Sequence, residues 1–352
     1  MGGKMLAGRV YGKGDLRVEE IDIPETVKGG MRIRVKACCI CGSDKRILKK
    51  GDFRAHFPVT IGHEIAGIVD EVDGIEDFKA GDRVCVAPGY ACGRCRNCVQ
   101  GKPHICLNPY PSVGYAINGG FAEYMSVPAH LYRMGFINKI PDDLSDAEAS
   151  LAEIVACALN GQDKCKVKPG DFVLILGAGP AGIIHARLSK MFGAANVTLA
   201  QRGKVRLEKA AELFPEAVDD TICMADVDIE KEYLKRSGGR QPDVVIVCAA
   251  ANEAQELACR MIAPGGRINF FAGLPADDPY IRLNANDVHY KEIYISGSSS
   301  SRQQDNVTAL QLLSQRIIDG KRLITDHFAL KDIQEAFKRS DEKESFKVVI
   351  EM

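Results

Sequence analysis

A short apolar run opening onto a glycine-rich hexapeptide constrains the second half of this chain more than any other feature. Phe172-Val-Leu-Ile-Leu176 contains no polar residue, the pattern of a strand buried on both faces of a parallel sheet. It leads directly into Gly177-Ala-Gly-Pro-Ala-Gly182, after which Ile184, Leu188, Met191 and Phe192 share one helical face. A strand, a Gly-x-Gly-x-x-Gly turn and a helix in that order form a dinucleotide cradle. Gly177 allows the tight turn, Gly179 lets the backbone approach a pyrophosphate, and Gly182 lets helix and strand pack closely. The helix N-terminus then faces the phosphates, so Gly177, Gly179, Pro180 and Gly182 are candidate cofactor contacts. Further strands are expected at 196–200, 243–248, 267–271 and 293–296, with helices at 204–213 and 253–262. That alternation predicts a doubly wound α/β domain.

The first 150 residues have another rhythm. Residues 32–37 alternate polar and apolar, 65–72 and 83–87 are β-branched, and glycine turns punctuate them, which suggests a small barrel or sandwich. Near the C-terminus, helical patterns at 309–318 and 330–337 precede a strand at 346–350 that is placed to return to the first domain. A length of 352 residues implies two domains, or three. Lys and Arg total 46 against 47 Asp and Glu, so there is no basic excess to serve a nucleic-acid partner. No secretory signal or membrane-length apolar stretch is visible, and a cytoplasmic, soluble protein is expected.

In a reducing compartment, clustered cysteines indicate metal ligands before disulfides. Of the 13 cysteines, Cys92, Cys95, Cys98 and Cys106 follow the spacing C-x2-C-x2-C-x7-C. Four thiolates so spaced close a tetrahedron around a structural zinc; an iron–sulfur motif would have a shorter last spacer followed by proline. A second candidate centre combines Cys41-Gly-Ser-Asp44 with Gly62-His-Glu64, 22 residues on. A thiolate, an imidazole and one or two carboxylates suit zinc with an open position.

The end of the second strand of the α/β domain bears on cofactor choice. An NAD enzyme carries an acid there to bind the ribose 2′-hydroxyl. This chain has Gln201, followed by Arg202 with Lys204 and Arg206 nearby, a set suited to a 2′-phosphate. NADP(H) is therefore expected over NAD(H).

Taken in order and at their spacing, these motifs give the chain a resemblance along essentially its whole length. It resembles the zinc-containing medium-chain alcohol dehydrogenases, in the polyol (sorbitol-like) and threonine dehydrogenase branch. The resemblance implies a GroES-like β-rich catalytic domain at 1–153 and 297–352, with a zinc lobe at about 88–110, and a Rossmann domain at 154–296. It implies two zinc ions. The catalytic one would be held by Cys41, His63 and Glu64, with Glu153 as a ligand or standing behind a zinc-bound water. Ser43 matches the hydroxyl that begins a proton relay. The implied reaction interconverts a secondary alcohol and a ketone, with a polyol, sugar alcohol or its phosphate first among substrates. Threonine or a simple secondary alcohol comes second. Tyr115, Phe121 and residues 298–302 are expected to line the pocket or merely to pack. Relatives are homodimers or homotetramers, and the strand at 267–271 is an expected edge for pairing across a two-fold. A zinc-stabilised nucleotide-binding or redox-sensing protein is the alternative outside enzymes.

Three positions depart from the family pattern. Ile154 replaces a proline after Glu153, and Asp73 replaces a turn glycine. Arg46 stands where many relatives have the relay histidine, which puts a cation near the pocket mouth and suits an acidic or phosphorylated substrate.

Overall fold

Alternation along Met31–Cys39 buries Met31, Ile33, Val35 and Ala37, and this strand becomes the axis of the N-terminal unit. The structure, a computed structural model, describes residues 3–352; Met1 and Gly2, part of the first expected domain, lie outside the described residues. The chain divides into two units, Met1–Ala156 with Ser301–Met352, and Cys157–Ser300.

In the first unit a seven-stranded sheet runs Ile324–Ala329, Lys347–Glu351, Met31–Cys39, Glu64–Val72, Arg83–Val86 and Ile137–Lys139, with Tyr124–Val127 also paired to Met31–Cys39. A smaller sheet joins Asp15–Asp22, Lys4–Gly12 and Val59–Thr60. Their shared core includes the fully buried Phe121, Ile47, Ile61 and Ile65. Met31–Cys39 has two neighbours that matter for the site. Glu64 pairs with Cys39 on one side, and on the other the C-terminal strand runs antiparallel with Val349 opposite Cys39. The last strand thus returns to the first part of the chain, as its sequence suggested.

The second unit is a six-stranded parallel sheet, ordered Asp220–Cys223, Asn196–Gln201, Phe172–Leu176, Val244–Val247, Arg267–Phe270 and Tyr294–Gly297. Numbered along the chain this is 3-2-1-4-5-6, the dinucleotide-binding order. Val173, Leu174 and Ile175 are fully buried, as an apolar central strand requires.

The expected edge at 267–271 is a correction. Arg267–Phe270 lies inside the sheet between Val244–Val247 and Tyr294–Gly297, and Tyr294–Gly297 is the outer strand. Each crossover on this side of the sheet steps outward, so the last strand in sequence is also last in space. No helix among the described residues is long and apolar enough to cross a membrane.

Candidate metal centre and nucleotide loop

A single carboxylate organises the first centre. Helix Gly42–Lys50 begins directly after Cys41 and places Asp44 in its first turn, with no exposed surface. Asp44 Oδ2 accepts the Cys41 N–H at 2.8 Å, and Oδ1 accepts the Gly62 N–H at 3.2 Å. Oδ1 also lies 3.3 Å from His63 Nδ1. Asp44 therefore holds the backbone on both sides of the centre and faces the rear of the imidazole. Gly62 is needed at the turn: its φ is 94°, and a Cβ would stand 2.8 Å from Cys38 Sγ. The other ring nitrogen, His63 Nε2, is 3.1 Å from Ser43 Oγ. Burial is the largest influence and disfavours a charged imidazole, but Asp44, Tyr115 and Cys41 together outweigh it, and the His63 pKa lies well above its usual value.

Cys41 Sγ, a His63 ring nitrogen and a Glu64 oxygen all lie within 4.8 Å of one another. Donors around a tetrahedral zinc, at bonds of about 2.0–2.3 Å, stand about 3.3–3.8 Å apart, so this set needs only a small contraction to share one ion. One thiolate, one imidazole and one carboxylate are the donors zinc prefers over calcium or magnesium. Glu153 is buried at 7% exposure but falls outside that cluster. Its charge reaches Glu64, whose pKa is raised by burial first and by Glu153 in addition, against the opposing pull of Lys347. Lys347 Nζ lies 2.6 Å from Glu64 Oε1 and 2.5 Å from Oε2, with both side chains inaccessible to solvent.

The four-cysteine lobe is equally well set. Cys95 Sγ is 3.5 Å from Cys98 Sγ and 3.8 Å from Cys106 Sγ. These are the edges of a tetrahedron with zinc–sulfur bonds of about 2.3 Å, and are far longer than a disulfide of about 2.05 Å. The Leu107 N–H points at Cys95 Sγ (3.4 Å) and the Cys92 N–H at Cys106 Sγ (3.3 Å). Such donors favour thiolates, and the Cys95 pKa falls to about 6, chiefly through backbone N–H groups of Cys98 and Leu107.

In the second unit the glycine loop meets its steric requirements. Gly177 has φ 114°, and a Cβ on Gly182 would stand 1.9 Å from the Gly177 carbonyl. A Cβ on Gly179 would meet nothing within 4 Å, which leaves the space a diphosphate would take at the start of helix Pro180–Met191. Gln201 ends its strand by accepting the Ala178 N–H at 2.9 Å, so it braces the loop. Arg202 is three-quarters exposed and lies 3.6 Å from Glu253, with 75% and 73% of the two side chains accessible. Lys204 is drawn to Asp226 at 3.0 Å.

The expected lining residues divide. Tyr115 stands beside the metal centre, its ring 5.5 Å from that of His63. Phe121 is core, fully buried and edge-on to Phe337. Ser298 Oγ donates to Asn269, and Arg302 grips Asp305.

The fold and these two clusters define a dehydrogenase built from a metal-binding unit and a dinucleotide unit. Residues 27–138 match the alcohol dehydrogenase GroES-like domain, and residues 180–315 the zinc-binding dehydrogenase domain. Sorbitol dehydrogenase of Halalkalibacterium halodurans is 30% identical over 99% of this chain and 98% of its own. A zinc-binding dehydrogenase of Sinorhizobium meliloti, solved with NADP, matches with a TM-score of 0.91 at 28% identity, over 99% of this chain and 100% of that one. RspB of Escherichia coli CFT073, an alcohol dehydrogenase solved with NADH, gives 0.89 at 29% identity over the whole of both chains. The chain belongs to the zinc-containing medium-chain alcohol dehydrogenase family, and is an oxidoreductase.

Two residues escaped the reading of the sequence. Asp44 was visible only as another carboxylate, since spacing cannot separate a ligand from a residue that holds ligands. Lys347 left a faint signal, a lysine heading the apolar run Phe346-Lys-Val-Val-Ile350. Replacing Lys347 by Met strands the Glu64 charge in the interior and should destabilise the protein by about 3–5 kcal/mol. The double variant Lys347→Met/Glu64→Gln should regain much of that loss. Calorimetric melting of the three proteins checks this, and an unshifted Lys347→Met transition would show that the pair contributes little.

Proposed function

We propose that this protein interconverts a secondary alcohol of the polyol class and its ketone, with Cys41, His63 and Glu64 holding a catalytic zinc. Cys92, Cys95, Cys98 and Cys106 hold a second, structural zinc. The reading rests above all on three unlike donors within 4.8 Å of one another, with the Ser43 hydroxyl 3.1 Å from the His63 ring. When bound, zinc supplies a Lewis acid beside the substrate oxygen, and the nicotinamide takes or returns the hydride. The remaining work falls to side chains of this chain. Ser43 Oγ accepts the substrate hydroxyl proton and passes it outward. Asp44 keeps His63 turned so that Nε2 faces the centre, the role of a carboxylate behind a metal-binding imidazole. Lys347 holds Glu64 ionised in a site that excludes water. Glu153 is a buried carboxylate whose charge reaches Glu64, and it can receive a hydrogen bond from a bound water or hydroxyl. The four-cysteine lobe has no open position and fixes its loop only.

For the cofactor we favour NADP(H). Gln201 occupies the position of the ribose-binding acid and is itself engaged by the loop, while Arg202 beyond it is three-quarters exposed, with only a solvent-exposed contact to Glu253 to give up for a 2′-phosphate. The solved relatives include one with NADP and one with NADH. We also favour a homodimer or a larger homo-oligomer. The outer strand Tyr294–Gly297 offers an unpaired edge with Tyr294 69% exposed, next to Tyr290 at 78%.

Three measurements test these assignments. Cys41→Ser should lower the zinc content from two to one per chain. It should also reduce kcat/KM by more than about 100-fold, the upper range for losing even an outer partner of a metal ligand. Two zincs retained by that variant would refute the assignment. Arg202→Ala should raise KM for NADP at least about tenfold more than KM for NAD, as loss of a charged hydrogen bond predicts. Equal changes would remove Arg202 from 2′-phosphate recognition. Light scattering should give a mass of two chains or a multiple of two, and Ile295→Lys should lower it; a single-chain mass would overturn the edge pairing.

A further inference from the structure

Helix Gly42–Lys50 ends at Gly51, and Arg46 within it joins Arg54 just beyond it in a basic cluster that the mechanism does not use. Asp52 lies at its centre, with its side chain 5% exposed. Its carboxylate accepts from Arg54 Nε at 2.9 Å and Arg54 Nη2 at 2.9 Å, and from Arg46 Nη2 at 2.9 Å. The Arg54 backbone N–H also donates to it at 3.0 Å. Burial pushes the Asp52 pKa up, but the hydrogen bonds from Arg54 and Arg46 prevail and hold it well below the usual range. One carboxylate thus fixes two guanidinium groups and cancels only one of their charges. Both arginines stay open to solvent, at 48% and 44% exposure of their side chains. Among the described residues, Arg54 Nη1 and Arg46 Nε and Nη1 have no hydrogen-bond partner.

The position of this cluster gives it a use. The Arg54 guanidinium lies over the Tyr115 ring, 4.2 Å from its centre, and that ring centre is 5.5 Å from the centre of His63. The same loop is tied to Tyr115 by the His56 N–H, which donates to the Tyr115 carbonyl at 3.2 Å. These two spacings set the guanidinium no more than about 10 Å from the imidazole of the metal centre. A carbon chain advances about 1.3 Å per bond of about 1.5 Å, so a five- or six-carbon substrate with its reacting hydroxyl at the metal can bring its far end to Arg54.

We infer that Arg46 and Arg54 form an anion-recognition site, so that the substrate is an open-chain polyhydroxy compound bearing a carboxylate or phosphate at the end remote from the reacting hydroxyl. A planar guanidinium with an unused N–H, braced by Asp52 and stacked on Tyr115, is preorganised for such a group. A neutral polyol would leave the excess charge without a partner. The inference rests on the dehydrogenase reading above and narrows its substrate class.

The test uses the purified, zinc-replete full-length protein with NADP and with NAD. Its substrates are five- and six-carbon polyols, the aldonates of matching configuration, and the corresponding polyol phosphates. An anionic substrate should surpass its neutral counterpart in kcat/KM by about tenfold or more, the range of a hydrogen bond to a charged group, with the advantage shrinking as salt rises. Preference for the aldonates identifies a carboxylate, and preference for the phosphates identifies a phosphate. Arg54→Gln and Arg46→Gln should each bring the ratio of anionic to neutral kcat/KM toward one. They should also weaken calorimetric binding of the preferred anion by about tenfold while zinc content stays at the wild-type value. Equal or better use of neutral polyols overturns the inference and leaves the dehydrogenase reading intact. So does a variant that raises KM for the nucleotide while leaving the anionic-to-neutral ratio unchanged. If no substrate turns over with either cofactor, the polyol assignment proposed above fails, and anion binding that depends on Arg54 still decides this inference by calorimetry.

Discussion

A carboxylate with no exposed surface stays ionised in a protein interior only if something charged meets it, and Glu64 is met by Lys347. The two residues are 283 positions apart in sequence, so the contact depends on register as much as on chemistry. Met31–Cys39 must lie between Glu64–Val72 and Lys347–Glu351, and both neighbours must be in phase with it. A slip of one residue in either strand would turn the lysine or the glutamate to the wrong face. The metal centre therefore rests on a sheet whose C-terminal strand belongs to the working unit. Val348, Val349 and Ile350 bury that strand in the core, and the same burial keeps the ion pair from water.

Asp44 does for Cys41 and His63 what Lys347 does for Glu64. Each donor in the cluster is held by a group that does not belong to the cluster itself, and each holder is more buried than a charged residue ordinarily is. Removing an apolar neighbour would cost packing, whereas removing a holder would leave a charge unpaired in a low-dielectric site, a larger penalty. The lobe at Cys92–Cys106 follows another logic. Its holders are backbone N–H groups, so the thiolates depend on loop conformation more than on any one side chain.

Much of this was legible in the sequence wherever the physics is local. Phe172–Leu176 and the glycines after it announced a strand, a turn and a helix, because those elements are set by neighbours within a dozen residues. The cysteine knuckle was legible for the same reason. Asp220–Cys223 was not foreseen: it is an edge strand in which only Ile222 is fully buried, so the hydrophobic signal is thin. The edge was misplaced at 267–271 because the sequence marks strands without giving their order in space. That order follows from the direction of each crossover. Among the site residues, the donors were visible as types and the holders were not. Holding is a matter of partners, and the partner of Lys347 lies at the other end of the chain.

The first helix shows how tightly these functions are coupled. Cys41 precedes it, Ser43 and Asp44 lie in its first turn, Arg46 follows, and Gly51 closes it with φ 78° so that Asp52 and Arg54 can turn back. Within fourteen residues the chain supplies the proposed metal donor, the hydroxyl proposed for proton transfer, the carboxylate that faces the imidazole and the two arginines paired with Asp52. A net charge of -1 over the whole chain gives no long-range field to draw anions in. Any preference for an anion must come from groups at contact distance, and such groups select only what is already bound in the right pose. Because Arg46 sits on the helix that positions Ser43 and Asp44, recognition at the far end of a substrate and alignment at the reacting end share one rigid element. That arrangement lets binding energy remote from the reacting carbon be spent on orientation there, which is where it raises kcat.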